Sequence, residues 1–147
     1  MSSAYIKRIL LAEDDPRDVE LTLEALSQHN IANSVDVVND GAEALDYLYH
    51  RGNYAGRKNG NPAVVLLDLK MPRLNGIDVL RIIKLDPALK TIPIVVLTSS
   101  REENDLKVCY GLGVNAYVVK PVEFGDFLDA VKTLGAFWAI LNEVPQE

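Results

Sequence analysis

The chain has 147 residues and a formal net charge of −6, a length that suits one domain with a substantial core. The acidic balance and the lack of a basic patch argue against nucleic acid as a direct partner. A single cysteine, Cys109, excludes an intrachain disulfide and fits a reducing cytoplasm, and one cysteine with two histidines argues against a zinc cluster. The first apolar run, 9–12, is too short for a signal-peptide core or a membrane span, so no membrane association is expected.

Apolar runs that end at polar residues alternate along the chain with amphipathic stretches. The pattern predicts strands over 6–12, 34–38, 64–68, 92–97 and 116–119, and helices over 18–29, 42–50, 77–85, 102–112 and 123–141. Asp40 is the predicted N-cap of the second helix. Regular alternation of strands and helices predicts an α/β fold, with a parallel sheet, helices on both faces and right-handed crossovers. We expect a single domain over 1–147, with a core of about 6–141, a short polar tail and no output domain.

The segment 51–62 is rich in Gly, Asn and Pro and carries the basic residues Arg51, Arg57 and Lys58. It is long for a connection between a helix and a strand. Its composition favours a solvated loop. The alternative is a loop that contacts a partner, because loops of this length often carry function.

Four of the predicted strands end in polar or charged residues. The first ends at Glu13 and Asp14, the third at Asp68, the fourth at Thr98 and the fifth at Lys120. In a five-stranded doubly wound sheet of order 2-1-3-4-5, the first and third strands flank the switch point, so Asp14 and Asp68 converge on one crevice. Each residue alone has a plainer explanation, such as a helix cap, a surface turn or an acid at a helix amino end.

The same residue types, taken together, indicate phosphoryl chemistry. Clustered carboxylates repel one another and are tolerated where a cation lies among them. Oxygen ligands alone select a hard cation such as Mg²⁺. A carboxylate such as Asp68 can attack phosphorus to give an aspartyl phosphate. Lys120 and Thr98 would then neutralise the phosphoryl oxygens and donate hydrogen bonds to them.

Four sequence motifs occur in order at these strand ends: Ile-Leu-Leu-Ala-Glu-Asp-Asp, Leu-Leu-Asp-Leu-Lys-Met-Pro with Asn-Gly, Val-Val-Leu-Thr-Ser, and Ala-Tyr-Val-Val-Lys-Pro. With them the chain resembles the response-regulator receiver domains of two-component signalling, from residue 8 to about 139. The resemblance implies the flavodoxin-like receiver fold and a phosphoryl group accepted on Asp68 from a sensor histidine kinase. It also implies Mg²⁺ or Mn²⁺ as the cofactor.

The resemblance further assigns roles to single residues. The implied metal ligands are Glu13, Asp14, Asp68 and the backbone carbonyl of Lys70; the implied phosphate-binding and switch residues are Thr98, Tyr117 and Lys120; and the implied cis peptide bond precedes Pro121. Activation in the family changes the face of the fourth helix, fifth strand and fifth helix.

The kinase partner stays open between two classes. The long 51–62 loop, Pro-Arg-Leu-Asn-Gly and the Phe-Trp-x-x-Leu ending are similar to single-domain regulators that pair with bacterial phytochrome kinases. Regulators served by other sensors are also similar. A phytochrome-type kinase is therefore the expected partner, and a non-photoreceptor kinase is the alternative.

Apolar residues continue around the last predicted helix, beyond the stripe that would cover the sheet. The candidates for a second buried surface are Phe137, Trp138, Ile140 and Leu141. A helix apolar around so much of its circumference is buried on more than one side. The pattern predicts a two-fold homodimer, and folding of the helix end back onto the domain is the alternative.

An enzyme on the same scaffold is the second function class considered. A flavin carrier needs a hydroxyl- and Gly-rich phosphate loop after the first strand, whereas this chain has Glu-Asp-Asp-Pro there. An aspartyl phosphatase usually carries a second Asp two residues past the nucleophile, where this chain has Lys70. Both features favour a signalling protein over an enzyme.

Overall fold

The computed structural model describes residues 8–29, 34–58, 60–99, 103–114 and 116–133. The strands are β1 (Ile9–Ala12), β2 (Val35–Val38), β3 (Val64–Asp68), β4 (Ile94–Thr98) and β5 (Tyr117–Val119), and the helices are α1 (Pro16–Leu26), α2 (Gly41–Leu48), α3 (Gly76–Leu85), α4 (Glu103–Gly111) and α5 (Phe124–Thr133). Short 3-10 helices cover Ser27–His29 and Gly52–Tyr54. Strands and helices alternate as the sequence predicts.

The five strands form one parallel sheet in the order β2-β1-β3-β4-β5, which confirms the predicted order. Side chains of β1 and β3 alternate between two buried cores. Leu10 and Leu67 belong to the core that contains the apolar faces of α2 and α3. Leu11 and Leu66 belong to the opposite core, which also contains Phe127 of α5. Both faces of the central strands are covered, which explains why their sequences are continuously apolar.

The helix starts follow from capping side chains. The Asp15 side chain caps α1 by accepting the Arg17 N–H at 2.8 Å, and Pro16 fits the first turn because its missing N–H is not needed there. The helix therefore begins two residues before the predicted 18. Asp40 caps α2 as predicted, accepting the Glu43 N–H at 2.7 Å.

Other predicted limits differ by a few residues. β4 begins at Ile94 rather than at 92, because Pro93 has no N–H to contribute to the ladder. α5 is described to Thr133. The predicted helix over 134–141, with the dimer candidates Phe137, Trp138, Ile140 and Leu141, lies outside the described residues. The single domain over 1–147 stays a prediction.

Most described residues of the 51–62 segment are exposed, as expected for a solvated loop, but two of its side chains anchor it to α2. The Arg57 guanidinium lies 3.9 Å from the centroid of the Tyr47 ring and donates to the Tyr47 carbonyl at 2.7 Å. The Tyr54 hydroxyl donates to Glu43 Oε2 at 2.6 Å.

Among the described helices, none is both long and apolar enough to cross a membrane.

Candidate functional site

Asp68 is the last residue of β3, and its side chain is carried by the strand into the crevice where the sheet order reverses. The residue is only 4% exposed. Its Oδ1 atom is 3.3 Å from Lys120 Nζ and 3.4 Å from the Lys70 backbone nitrogen. Its burial and these two contacts therefore hold the Asp68 carboxylate in a fixed position at the end of β3.

Two further acids come from the end of β1, which pairs with β3. Glu13 is fully buried and Asp14 is exposed, and one oxygen from each lies within 4.8 Å of the other and of an Asp68 oxygen. Three carboxylates this close repel one another strongly. All three offer oxygen, the donor that Mg²⁺ and Mn²⁺ take from proteins. The donor set therefore fits a hard divalent cation.

Lys120 follows β5 and reaches back into the same crevice. Its Nζ atom donates to Glu13 Oε1 and to Asp18 Oδ2, each at 2.9 Å, and lies 3.3 Å from Asp68 Oδ1. Burial acts to lower the Lys120 pKa, but the hydrogen bonds to Asp18 and Glu13 and the Asp68 charge outweigh it and raise the pKa above its usual value. The ammonium therefore stays charged. We call Glu13, Asp14, Asp18, Asp68 and Lys120 the acidic crevice.

Glu13 has an unusual protonation equilibrium in this arrangement. Burial and the nearby Asp68 charge raise its pKa to about 7, against the lowering effect of the Lys120 hydrogen bond. The other Glu13 oxygen accepts the Asp15 N–H at 3.2 Å. Near neutral pH the metal-free protein therefore holds part of its Glu13 protonated, and a cation would favour the ionised form.

The loop between β3 and α3 is packed tightly against its surroundings. A Cβ atom at Gly76 would lie 2.2 Å from the Asp68 carbonyl oxygen, and one at Gly41 would lie 1.9 Å from the Leu74 carbonyl oxygen. The amino end of α2 and the start of α3 therefore hold the loop that contains Lys70 close to the end of β3.

The remaining predicted residues lie in different surroundings. Thr98 is buried at the end of β4, and its carbonyl accepts the Lys120 N–H at 2.8 Å. The Lys70 side chain is exposed. Tyr117 is 42% exposed, and its ring packs edge-to-face on Tyr110 of α4 at 6.2 Å between centroids. The Lys120–Pro121 peptide bond is cis.

Asp18 was missed at the sequence level, where it was the first residue of a helix. With α1 starting at Pro16, Asp18 is the third helical residue and shares Lys120 with Glu13 and Asp68. The Asp15-Pro16 pair was the available signal, since a capping Asp before Pro marks a helix start.

Comparisons with known proteins give the family. Residues 9–132 match the model of the response regulator receiver domain. Response regulator Rcp1 of Synechocystis sp. is 38% identical over 132 residues, which cover 90% of this chain and 88% of the relative. The methanogenesis regulatory protein FilR2 of Methanothrix harundinacea, described as probable, is 38% identical over 138 residues, 93% of this chain and 86% of the relative.

Solved structures agree with these matches. The structure of the bacteriophytochrome response regulator AtBRR has a TM-score of 0.85 and 58% sequence identity, covering 94% of this chain and 99% of that one. The Mn²⁺-bound form of response regulator Rcp1 has a TM-score of 0.73 and 37% identity, covering 96% of this chain and 99% of that one.

Proposed function

The chain belongs to the response regulator receiver domain family, and from this premise we propose that Asp68 accepts the phosphoryl group that a sensor histidine kinase delivers. The protein is a response regulator of two-component signalling. The observation that carries the assignment to Asp68 is its position: a buried carboxylate at the switch point, beside two further acids and a charged lysine.

The transfer is a substitution at phosphorus. An Asp68 carboxylate oxygen forms a bond to phosphorus, the bond from phosphorus to the kinase imidazole nitrogen breaks, and the imidazole leaves with that electron pair. Lys120 remains an ammonium and donates to phosphoryl oxygens, and Thr98 supplies a hydroxyl at the end of the neighbouring strand. Self-phosphorylation from small phosphodonors and self-dephosphorylation by water would occur at the same site without the kinase.

Mg²⁺, or Mn²⁺ in its place, is the proposed cofactor. Glu13, Asp14 and Asp68 would hold it with the Lys70 carbonyl, and the bound ion would neutralise charge on the phosphoryl oxygens. The mutual approach of the three carboxylates supports this assignment, and a solved relative is the Mn²⁺-bound form of Rcp1.

A bacterial phytochrome kinase is the proposed partner. The support is the similarity over nearly the whole chain to a bacteriophytochrome response regulator. A kinase with another sensor is the second candidate, because the relative FilR2 is a methanogenesis regulatory protein. Transfer from purified phosphorylated kinases of both kinds would separate the two: the cognate kinase should lose its label to this chain fastest.

Homodimerisation and a cytoplasmic location complete the proposal. Apolar or aromatic residues on α4 and β5 that are at least 36% exposed support a contact surface there; they are Val108, Tyr110, Tyr117 and Val119. The chain has a single cysteine, the buried Cys109, which fits a reducing compartment. Light scattering should show a dimer for the wild type and a folded monomer for Phe137→Glu with Ile140→Glu. A monomeric wild type at tens of micromolar would contradict the dimer.

The acceptor is tested by incubation with Mg²⁺ and acetyl phosphate, followed by intact-protein mass spectrometry. The wild type should gain one phosphoryl group and Asp68→Asn none. Asp126→Asn, at an exposed site on α5, is the matched control and should label like the wild type. Labelling of Asp68→Asn at the wild-type level would contradict the assignment.

A further inference from the structure

One acid in the crevice has no place in the function proposed above. Asp18 Oδ2 lies 2.9 Å from Lys120 Nζ, whereas Asp68 Oδ1 lies 3.3 Å from it. Among the described residues, the carboxylates that converge as a candidate metal group are Glu13, Asp14 and Asp68, and Asp18 is not one of them. Its contact in the crevice is with the lysine.

The chain holds Asp18 in this position firmly. Its carboxylate sits in the first turn of α1, where the unpaired backbone N–H groups and the helix dipole favour negative charge. The Asp18 side chain is 26% exposed and the Lys120 side chain 10%. An ion pair this shielded from water is screened less than a surface pair. Asp18 is therefore an effective competitor for the lysine.

We propose that Asp18 is a positioning residue that holds Lys120 on the α1 side of the crevice and thereby limits how tightly the site binds a phosphoryl group. This inference rests on the function proposed above, because it concerns the same lysine and the same acceptor. It adds a residue that opposes phosphoryl binding to a site whose other residues favour it.

The competition between Asp18 and a phosphoryl group follows from the hydrogen-bonding capacity of the Lys120 ammonium. Lys120 has three N–H donors, and three carboxylate oxygens lie within 3.3 Å of its nitrogen. A phosphoryl group on Asp68 adds negative charge and new acceptor oxygens next to the same nitrogen. A bound cation would offset the charge of Glu13. Asp18 lies outside the metal group and would continue to compete for Lys120.

Asp18→Asn separates the charge from the shape. The amide keeps the size of the side chain and an oxygen acceptor but removes the negative charge, which frees Lys120 to turn to the phosphoryl group. Beryllofluoride, an anionic phosphoryl analogue, should therefore bind Asp18→Asn about 5- to 10-fold more tightly than wild type at saturating Mg²⁺, the scale of one partly screened charge interaction. Isothermal titration calorimetry measures this affinity directly.

Three further variants make the result specific. Asp18→Glu keeps the charge and should bind beryllofluoride within about twofold of the wild type, on the same scale. Glu20→Gln, at an exposed position of the same helix, changes the net charge equally without reaching Lys120 and should also match wild type. Asp18→Ala should bind more tightly, as Asp18→Asn does. Titration with Mg²⁺ alone should give nearly equal affinities for the wild type and Asp18→Asn.

The outcomes separate the two hypotheses. If Asp18→Asn is folded and binds beryllofluoride with wild-type or weaker affinity, the inference about Asp18 is wrong. If Mg²⁺ and beryllofluoride affinities fall together in Asp18→Asn and Asp18→Ala, Asp18 has a structural role only, and the inference is again overturned. If the wild type itself neither binds beryllofluoride nor labels with acetyl phosphate, the proposed function fails first.

Discussion

Two regions beside the same sheet bring charged side chains together. The acidic crevice has more carboxylates than cations, whereas the cluster of Arg8, Asp36, Tyr47 and Arg57 beside α2 has more cations than carboxylates. The crevice holds four carboxylates and one ammonium group, and three of the carboxylates lie within 3.3 Å of the ammonium nitrogen. Beside α2, Asp36 accepts two hydrogen bonds from Arg8, at 2.8 and 3.2 Å, and one from the Tyr47 hydroxyl at 2.5 Å. Arg57 stacks on the Tyr47 ring. We call Arg8, Asp36, Tyr47 and Arg57 the α2 network.

The two regions therefore serve different ends. In the α2 network burial acts to raise the Asp36 pKa, but the Arg8 and Tyr47 hydrogen bonds outweigh it and lower the pKa. In the crevice the balance is reversed at Glu13, whose pKa rises. The network is satisfied by the chain itself and stabilises the fold. The crevice carries excess negative charge, which the proposed metal ion would offset.

The largest expected effect comes from the backbone that supports the crevice. Gly76→Ala places a Cβ atom 2.2 Å from the Asp68 carbonyl oxygen, so β3 and α3 must separate. We expect a loss of about 3 kcal/mol in the free energy of unfolding, with weaker acetyl phosphate labelling. Gly56→Ala is the matched control, because a Cβ there meets nothing within 4 Å and should change stability by less than about 0.5 kcal/mol. Equal stability of the two variants in urea denaturation would refute the packing argument.

Mg²⁺ should stabilise the protein through the crevice and not through the network. At about 100 times its dissociation constant, the ion should add about 2.7 kcal/mol to the wild type. Asp14→Asn removes one negative ligand, and a roughly tenfold weaker affinity would remove about 1.4 kcal/mol of that gain. Tyr47→Phe should keep the whole gain. The comparison of the two regions breaks down if Asp14→Asn responds to Mg²⁺ as strongly as the wild type does.

The sequence was sufficient to predict the frame of the crevice. Alternating elements predict a parallel sheet, and the resemblance to receiver domains implies its strand order. Strands buried on both faces are continuously apolar, so the polar residue that ends each one stands out. Glu13, Asp14, Asp68 and Lys120 were all identified in this way, and the structure brings them together. The physical reason is that parallel strands deliver their carboxyl ends to one edge.

Contacts that depend on side-chain reach could not be read from the pattern. Asp18 lies in the first turn of α1, which begins at Pro16, two residues earlier than periodicity indicated, and it contacts Lys120 from there. The loop after α2 has the composition of a solvated segment, yet Arg57 stacks on the ring of Tyr47 and pins the loop. Both contacts involve a charged residue, Asp18 or Arg57, of a type that is usually exposed at the surface, so the sequence alone does not indicate the contact.

The α2 network should lose stability when one of its hydrogen bonds is removed, with or without metal. Tyr47→Phe deletes the hydroxyl that donates to Asp36 at 2.5 Å, in a buried position. A hydrogen bond to a charged group is worth about 1.5 kcal/mol or more, so we expect a loss of about 1.5 kcal/mol. Tyr54→Phe, whose hydroxyl bonds the half-buried Glu43, should lose less. Urea denaturation in EDTA checks both, and a fully stable Tyr47→Phe would show that the network contributes nothing.

The smallest effect is a pH dependence that belongs to the crevice alone. The Glu13 pKa is about 7 in the folded protein and its ordinary value, 4.5, applies to the unfolded chain, so the folded state binds more protons between these values. Stability then falls as pH rises, and it is highest, as far as this group is concerned, below the unfolded pKa. Between pH 6 and 8 in EDTA the loss should be about 1.3 kcal/mol, from 1.36 kcal/mol per pH unit of full protonation difference.

Glu13→Gln isolates this effect, because the amide does not titrate. The stability of the wild type minus that of Glu13→Gln should decrease from pH 6 to pH 8 in EDTA, and the same difference for Tyr47→Phe should stay flat. Saturating Mg²⁺ should abolish this slope in the wild type, since the ion binds the ionised carboxylate and its affinity rises as the proton leaves, which offsets the loss of stability. A flat difference for Glu13→Gln would mean that Lys120 already neutralises Glu13 fully, and the crevice would then be as balanced as the α2 network.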